Sequence, residues 1–120
     1  MISPNKLNYW TIPIVRKQKL SIRHREAIAN EIIAKVCIYY NVTNEQIRGK
    51  KRHRAKLPIV PARHMAMYII KQKLNLTLKH IADLFGRDHT TVIHALRSIK
   101  NLSDTEEQVK EDLDYLINIL

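Results

Sequence analysis

Glycine occurs only twice in the 120 residues, at Gly49 and Gly86. Neither the phosphate-cradling P-loop nor the dinucleotide fingerprint can be written with two isolated glycines, so no nucleotide is expected to bind. Cysteine occurs once, which excludes an intrachain disulfide and any zinc site built on cysteine pairs. Cys37 lies among Ile33, Val36 and Tyr40 at helical spacing and reads as a small apolar core residue, in keeping with a reducing cytoplasm. The six histidines contain no HExxH, and no carboxylate pair, Ser/His/Asp order or Cys/His arrangement stands in a motif. No metal, no cofactor and no enzymatic activity are therefore expected. Aromatic residues make up 6% of the chain, with no run of rings on which single-stranded nucleic acid could stack. No apolar run approaches the eighteen or so residues of a membrane span, and the N-terminus has no uninterrupted apolar stretch of the signal-peptide kind.

What the chain has in excess is positive charge. Twenty-one Lys and Arg against eleven Asp and Glu leave a formal net charge of +10, which predicts a polyanionic partner. The hydrophobic fraction of 45% and the charged fraction of 27% are ordinary for a globular domain of this length. The charge is unevenly placed. Residues 103 to 120 hold six acids (Asp104, Glu106, Glu107, Glu111, Asp112, Asp114) against Lys110, so the positive field is concentrated in the chain ahead of them.

Apolar spacing predicts an all-α fold, a compact domain of about five to six helices over residues 21–120 behind an irregular arm at 1–20. The arm contains Pro4 and Pro13 and no sustained helical period. Its Tyr9, Trp10, Ile12 and Ile14 suit a latch on the domain or contact with a protein partner, and its Arg16, Lys17 and Lys19 suit a DNA backbone. Ser21 caps a first long helix carrying a stripe of Ile28, Ile32, Val36 and Tyr39 or Tyr40, and Asn41 ends it. Thr43 and Gln46 form a capping box on a short second helix. Pro61 suits the first turn of a third helix that buries Met65, Ala66, Ile69, Ile70 and Leu74, with Lys71 and Lys73 complementing its dipole. Ser103 or Asp104 starts a last helix with Val109, Leu113, Leu116, Ile117 and Leu120 inward and an acidic outer face, a second candidate surface for a protein partner. Within the segment between these, His80 reads as a surface partner of Asp83.

The most informative stretch is LTLKHIADLFGRDHTTVIHALRSIKN, residues 76–101. Thr77 caps a helix with Leu78, Ile81, Ala82 and Phe85 on one face, and Gly86 stops it in the left-handed conformation glycine adopts without penalty. Asp88 sits where it caps a following helix that buries Val92, Ala95, Leu96 and Ile99, so His89, Thr90, His94, Arg97 and Ser98 face outward. Two helices joined by a short glycine turn describe a helix-turn-helix, in which the start of the second helix enters the DNA major groove. A carboxylate accepts from a base amino group, an imidazole donates to a purine acceptor, and a threonine methyl packs on a thymine methyl. By residue type alone, Asp88-His89-Thr90-Thr91 is equally a good capping sequence.

FGRDHTTVIHALRSI at 85–99, preceded by ARHMAMYI at 62–69, resembles the C-terminal DNA-binding domain of the bacterial replication initiator DnaA. The similarity runs more loosely from about Ile22 to Leu120. It implies base reading by Asp88, His89, Thr90 and Thr91 of a DnaA-box-like site in double-stranded DNA. It also implies phosphate or minor-groove contacts from Arg63, Arg87, Arg97 and the basic run Arg48, Lys50, Lys51, Arg52, Arg54 and Lys56. Such a run is by itself only a solvated face or a localisation tag, but it lies just ahead of the helix bearing Arg63, where the family keeps a loop that reaches into the minor groove. The implied setting is replication initiation or its regulation, in a bacterial or phage-encoded cytoplasmic protein on the nucleoid, without the family's ATPase module. Transcriptional regulation through the same domain and non-specific binding of nucleic acid remain open beside it. The family usually has two glycines between the phenylalanine and the arginine; with Gly86 alone, a shorter turn and a changed helix angle are expected. Leu57-Pro58-Ile59-Val60-Pro61 also prolongs the loop ahead of Arg63.

Overall fold

A computed structural model describes residues 20–49 and 58–119, and among them the protein is built from six helices without strands. We number them α1 Ile22–Tyr40, α2 Asn44–Ile47, α3 Ile59–Leu74, α4 Leu78–Phe85, α5 His89–Thr105 and α6 Glu107–Ile119. The all-α expectation holds. Residues 1–19 of the arm, the run from Lys50 to Leu57, and Leu120 lie outside the described residues.

The frame is organised around α3, which packs chiefly on α5 and α1 and also on α2 and α4. Its Ala62, Met65, Ala66, Met67, Ile69 and Ile70 are essentially inaccessible to solvent. From α1, Ala29, Ile32, Ile33, Val36 and Cys37 close over it at three- and four-residue spacing. Each fully buried aliphatic side chain of this kind contributes about 1.5–3 kcal/mol of transfer free energy. The stripe expected on α1 is therefore broader than four residues: Ile28 and Tyr40 are half-buried at its margin and Tyr39 is exposed.

The helix ends follow local chemistry. Ser21 accepts from the His24 amide at 3.1 Å, and Thr43 and Gln46 form the full capping box of α2. Asn41 and Asn75 are the non-glycine residues with positive φ among those described, at 57° and 51°, and each closes a helix in the left-handed conformation that asparagine tolerates.

Three local expectations are corrected. Helix α3 opens at Ile59, so Ile59, Val60 and Pro61 form its first turn and do not prolong the loop ahead of Arg63; the proline ring is tolerated there, as expected, because the first four amides of a helix have no intrahelical partner. Neither Ser103 nor Asp104 starts the last helix: both lie inside α5. The hydroxyls of Ser103 and Thr105 donate back to the carbonyls of Lys100 (2.9 Å) and Asn101 (3.1 Å), and the break falls at extended Glu106. Nor do His80 and Asp83 pair: His80 Nε2 lies 2.6 Å from Glu26 Oε2 on α1, while Asp83 meets Lys79 at 3.5 Å.

The acidic outer face of α6 is also smaller than expected. Asp112 is buried and accepts from Tyr39 Oη (2.5 Å), Gln108 Nε2 (2.9 Å) and Tyr40 Oη (3.5 Å), tying the end of α1 to α6. A carboxylate can be withdrawn from water here because hydroxyl and amide donors surround it. Glu107, Glu111 and Asp114 keep the outer positions. Burial first, then the Asp112 carboxylate, pushes the Tyr40 phenol well above its ordinary value of 10.0. The Asp112 hydrogen bond, followed by desolvation, pushes Tyr39 up to about 12.

The folded Tyr40 phenol keeps its proton where the unfolded one releases it, so its contribution to stability is fully present below pH 10.0 and is lost as pH rises through the raised folded value. Wild type is expected to lose stability more steeply than Tyr40→Phe between about pH 9 and about pH 11. Urea titrations of both proteins at the two pH values check this, and equal losses would remove the assignment.

Candidate nucleic-acid interface

The unit that presents polar groups outward is α4, a turn, and α5. Thr77 Oγ1 accepts from the His80 amide at 3.0 Å and starts α4, whose Ile81, Ala82 and Phe85 are buried. Gly86 follows at φ 63°, with its own amide reaching Asp83 O (3.3 Å) and the Arg87 amide reaching Ala82 O (2.9 Å). This pair of bonds is the Schellman closure. A Cβ on Gly86 would meet nothing within 4 Å, so glycine is required by the backbone angle and not by space. The turn consists of Gly86, Arg87 and Asp88, within the length a helix-turn-helix uses.

Asp88 occupies the N-cap position of α5, but its side chain makes no capping hydrogen bond. The Thr91 amide is satisfied by the Asp88 carbonyl instead, at 3.0 Å. The carboxylate is left exposed, as are His89 and Thr90, with Thr91 half-buried beside them. Further along, Val92, Ala95 and Ile99 are buried and Leu96 is half-buried, so the helix turns Thr90, His94 and Arg97 to one solvent face and leaves Ser98 half-buried. The start of a helix also carries the positive end of its dipole, which favours an anion.

The arginines divide into two groups. Arg97 is exposed on α5. Arg63 on α3 is only 9% accessible and donates from Nε to Ile47 O (2.7 Å) and from Nη2 to Gln46 O (3.3 Å). Arg48 donates to Leu84 O (3.0 Å), Asn30 Oδ1 (2.9 Å) and Asn44 Oδ1 (3.0 Å). Arg87 donates to Gly49 O at 2.5 Å. Three of the side chains expected on phosphates are thus engaged within the protein. Lys50, Lys51, Arg52, Arg54 and Lys56 lie outside the described residues; Gly49, the last described residue before them, accepts from Arg87 of the turn. A Cβ on Gly49 would stand 3.0 Å from Glu45 O and 3.2 Å from Gln46 O, so Gly49 is tightly folded onto α2.

His64, not singled out by the sequence, lies half-buried beside Arg63. Burial first, then the charges of Arg63 and His94, holds its imidazole below the ordinary range and keeps it neutral near pH 7. No sequence pattern marked it, because the effect arises from α5 packing across α3. Among the described residues no three His, Cys, Asp or Glu side chains gather as a metal set, and no helix is long and apolar enough to cross a membrane.

Residues 29–99 match the family described as the bacterial dnaA protein helix-turn-helix, a span that runs from within α1 to within α5 and takes in α4, the turn and the first part of α5. The chain belongs to this DnaA helix-turn-helix family. It is 36% identical over 100 residues to the chromosomal replication initiator protein DnaA of Thermoanaerobacter sp. (strain X514), covering 83% of this chain and 22% of that protein. It is 36% identical over 134 residues to the DnaA protein of Mycoplasma capricolum subsp. capricolum, covering 97% of this chain and 28% of that protein. The chain therefore spans less than a third of the length of these DnaA relatives.

Proposed function

We propose that this DnaA-family domain binds double-stranded DNA sequence-specifically, in replication initiation or its regulation. One observation carries the reading: the first residues of α5 present a carboxylate, an imidazole and hydroxyls to solvent without using them as caps. Asp88 accepts from an exocyclic base amino group, His89 donates to a purine acceptor, and Thr90 and Thr91 offer a methyl and a hydroxyl to the floor of the major groove. Arg97 and the basic run Lys50, Lys51, Arg52, Arg54 and Lys56 hold phosphates or enter the adjacent minor groove, where a guanidinium fits best. The net charge of +10 supports the electrostatic part, and the names of the relatives support the setting.

The test is selection of bound duplexes from a random pool, followed by titration of the selected duplex and a scrambled one. A defined consensus, bound at least about a thousandfold more tightly than the scrambled duplex, is the expected result. Equal affinity for the two leaves only a non-specific basic binder. Lys51→Ala is expected to weaken both duplexes alike and to flatten the dependence of log K on log salt by about 0.9 unit, the loss of one phosphate contact. A change confined to the selected duplex would instead make Lys51 a reader of sequence.

A further inference from the structure

The bonds made by Arg48 and Arg87 are reciprocal. Arg48, at the end of α2, donates to the carbonyl of Leu84 in the last turn of α4, and Arg87, in the turn after α4, donates to the carbonyl of Gly49 at the exit from α2. Each segment thus supplies the guanidinium for the other's backbone. Arg63 adds a third tie from α3, beneath both, to Ile47 O and Gln46 O. Charge-assisted bonds of this kind are roughly twice as strong as neutral ones, and the planar fork fixes their direction. Swinging any of these side chains out to a phosphate would break them, and for Arg63 would strand its Nε and the Ile47 carbonyl in a buried setting. Arg63, at 9% accessibility, is the most buried of the three.

Building on the DNA-reading proposal above, we infer that Arg48 and Arg87, braced by Arg63, are positioning residues. They lock the recognition turn onto the 46–49 segment, and so set the register between α5 and the point where the basic run leaves, without themselves touching DNA. A reading constellation needs its groups held to within about 0.5 Å by a supporting shell. Here that shell is made of guanidinium–carbonyl bonds between residues 36 and 38 positions apart. The three arginines still add to the positive field, but not as phosphate ligands.

The experiment uses the full chain, the duplex selected from the random pool and a scrambled duplex of the same length, titrated across a range of salt. Arg87→Lys and Arg48→Lys keep the charge and remove the fork. Each is expected to lower affinity for the selected duplex about tenfold and the selected-to-scrambled ratio by the same factor, with scrambled affinity and salt dependence unchanged. Arg97→Ala is the control for a direct contact and should flatten the salt dependence by about 0.9 unit. Titrations run well below the melting temperature of each variant, where a role in stability alone would leave the ratio untouched. If Arg87→Lys does not fold, Arg48→Lys and Arg48→Gln carry the test. Lysine variants that keep the wild-type ratio, or an Arg87→Ala that flattens the salt dependence by about 0.9 unit, would overturn the inference. A wild-type protein that selects no consensus would instead defeat the DNA-reading proposal on which it rests.

Discussion

Phe85→Ala is expected to lower the unfolding free energy by about 3–5 kcal/mol, the cost of removing a buried ring and leaving a cavity. Phe85 is fully inaccessible and ends α4 immediately before the Gly86 turn, in the same core as Ile81, Val92 and Met65. A domain of this size loses about 4–8 °C of Tm per kcal/mol, so a fall of more than about 12 °C should appear. Urea unfolding followed by far-UV circular dichroism measures the free energy directly. A loss below about 1 kcal/mol would mean that the ring is not the keystone of the recognition unit, because neighbouring side chains can close the space. The folded fraction of this variant should retain the wild-type preference among duplexes, since Phe85 stands behind the reading surface and not on it.

The opposite signature is expected at the start of α5. His89→Ala and Thr90→Val should each cut discrimination between the selected duplex and a duplex altered at the contacted base by about 1–3 kcal/mol. Both residues are exposed, so stability should move by no more than about 0.5 kcal/mol. Asp88 separates reading from capping most sharply. A capping aspartate replaced by alanine costs about 1 kcal/mol of stability. Because the Asp88 side chain makes no cap bond, Asp88→Ala should leave stability nearly unchanged and lower discrimination instead. Paired titrations with matched and base-substituted duplexes, together with melting curves, check all three variants. If they lose stability and keep discrimination, the segment is only a helix start and the base-reading assignment is abandoned.

The helical frame was legible because its determinants are local. The spacing of Ile81, Ala82 and Phe85 on α4, and of Val92, Ala95 and Ile99 on α5, is the spacing that buries them. Gly86 announced a left-handed helix end, Asn41 a helix stop, and Thr43 with Gln46 a capping box, since each effect acts within a few residues. The α5–α6 boundary was misplaced for a related reason. Ser103 and Thr105 can satisfy a helix carbonyl as readily as cap a new helix, and nothing in the adjacent residues decides between the two.

The candidate site was legible in part. The outward placement of His89, Thr90, His94 and Arg97 follows from the periodicity of α5. That Asp88 would hold the cap position without using its side chain did not follow, since the Thr91 amide finds a carbonyl that the turn happens to supply. The basic residues were legible as charge and not as contacts. Arg48, Arg63 and Arg87 look like Lys51 or Arg54 in a count of positive residues, yet the structure gives each of the three a backbone carbonyl.

From its order of residues alone this chain determines an all-α frame, the turn at Gly86, the polar face of α5 and a strongly positive field, because backbone preference, amphipathic period and net charge act over short range or simply add. Only the packing of the helices, α1, α2 and α4 around α3 and α6 against α5 and the end of α1, decided that Asp112 meets two tyrosines, that His80 meets Glu26, and that Arg48 and Arg87 tie two segments together. Those partners lie 36 to 73 residues apart, and several of the acceptors are main-chain carbonyls, which every residue carries and no sequence pattern distinguishes.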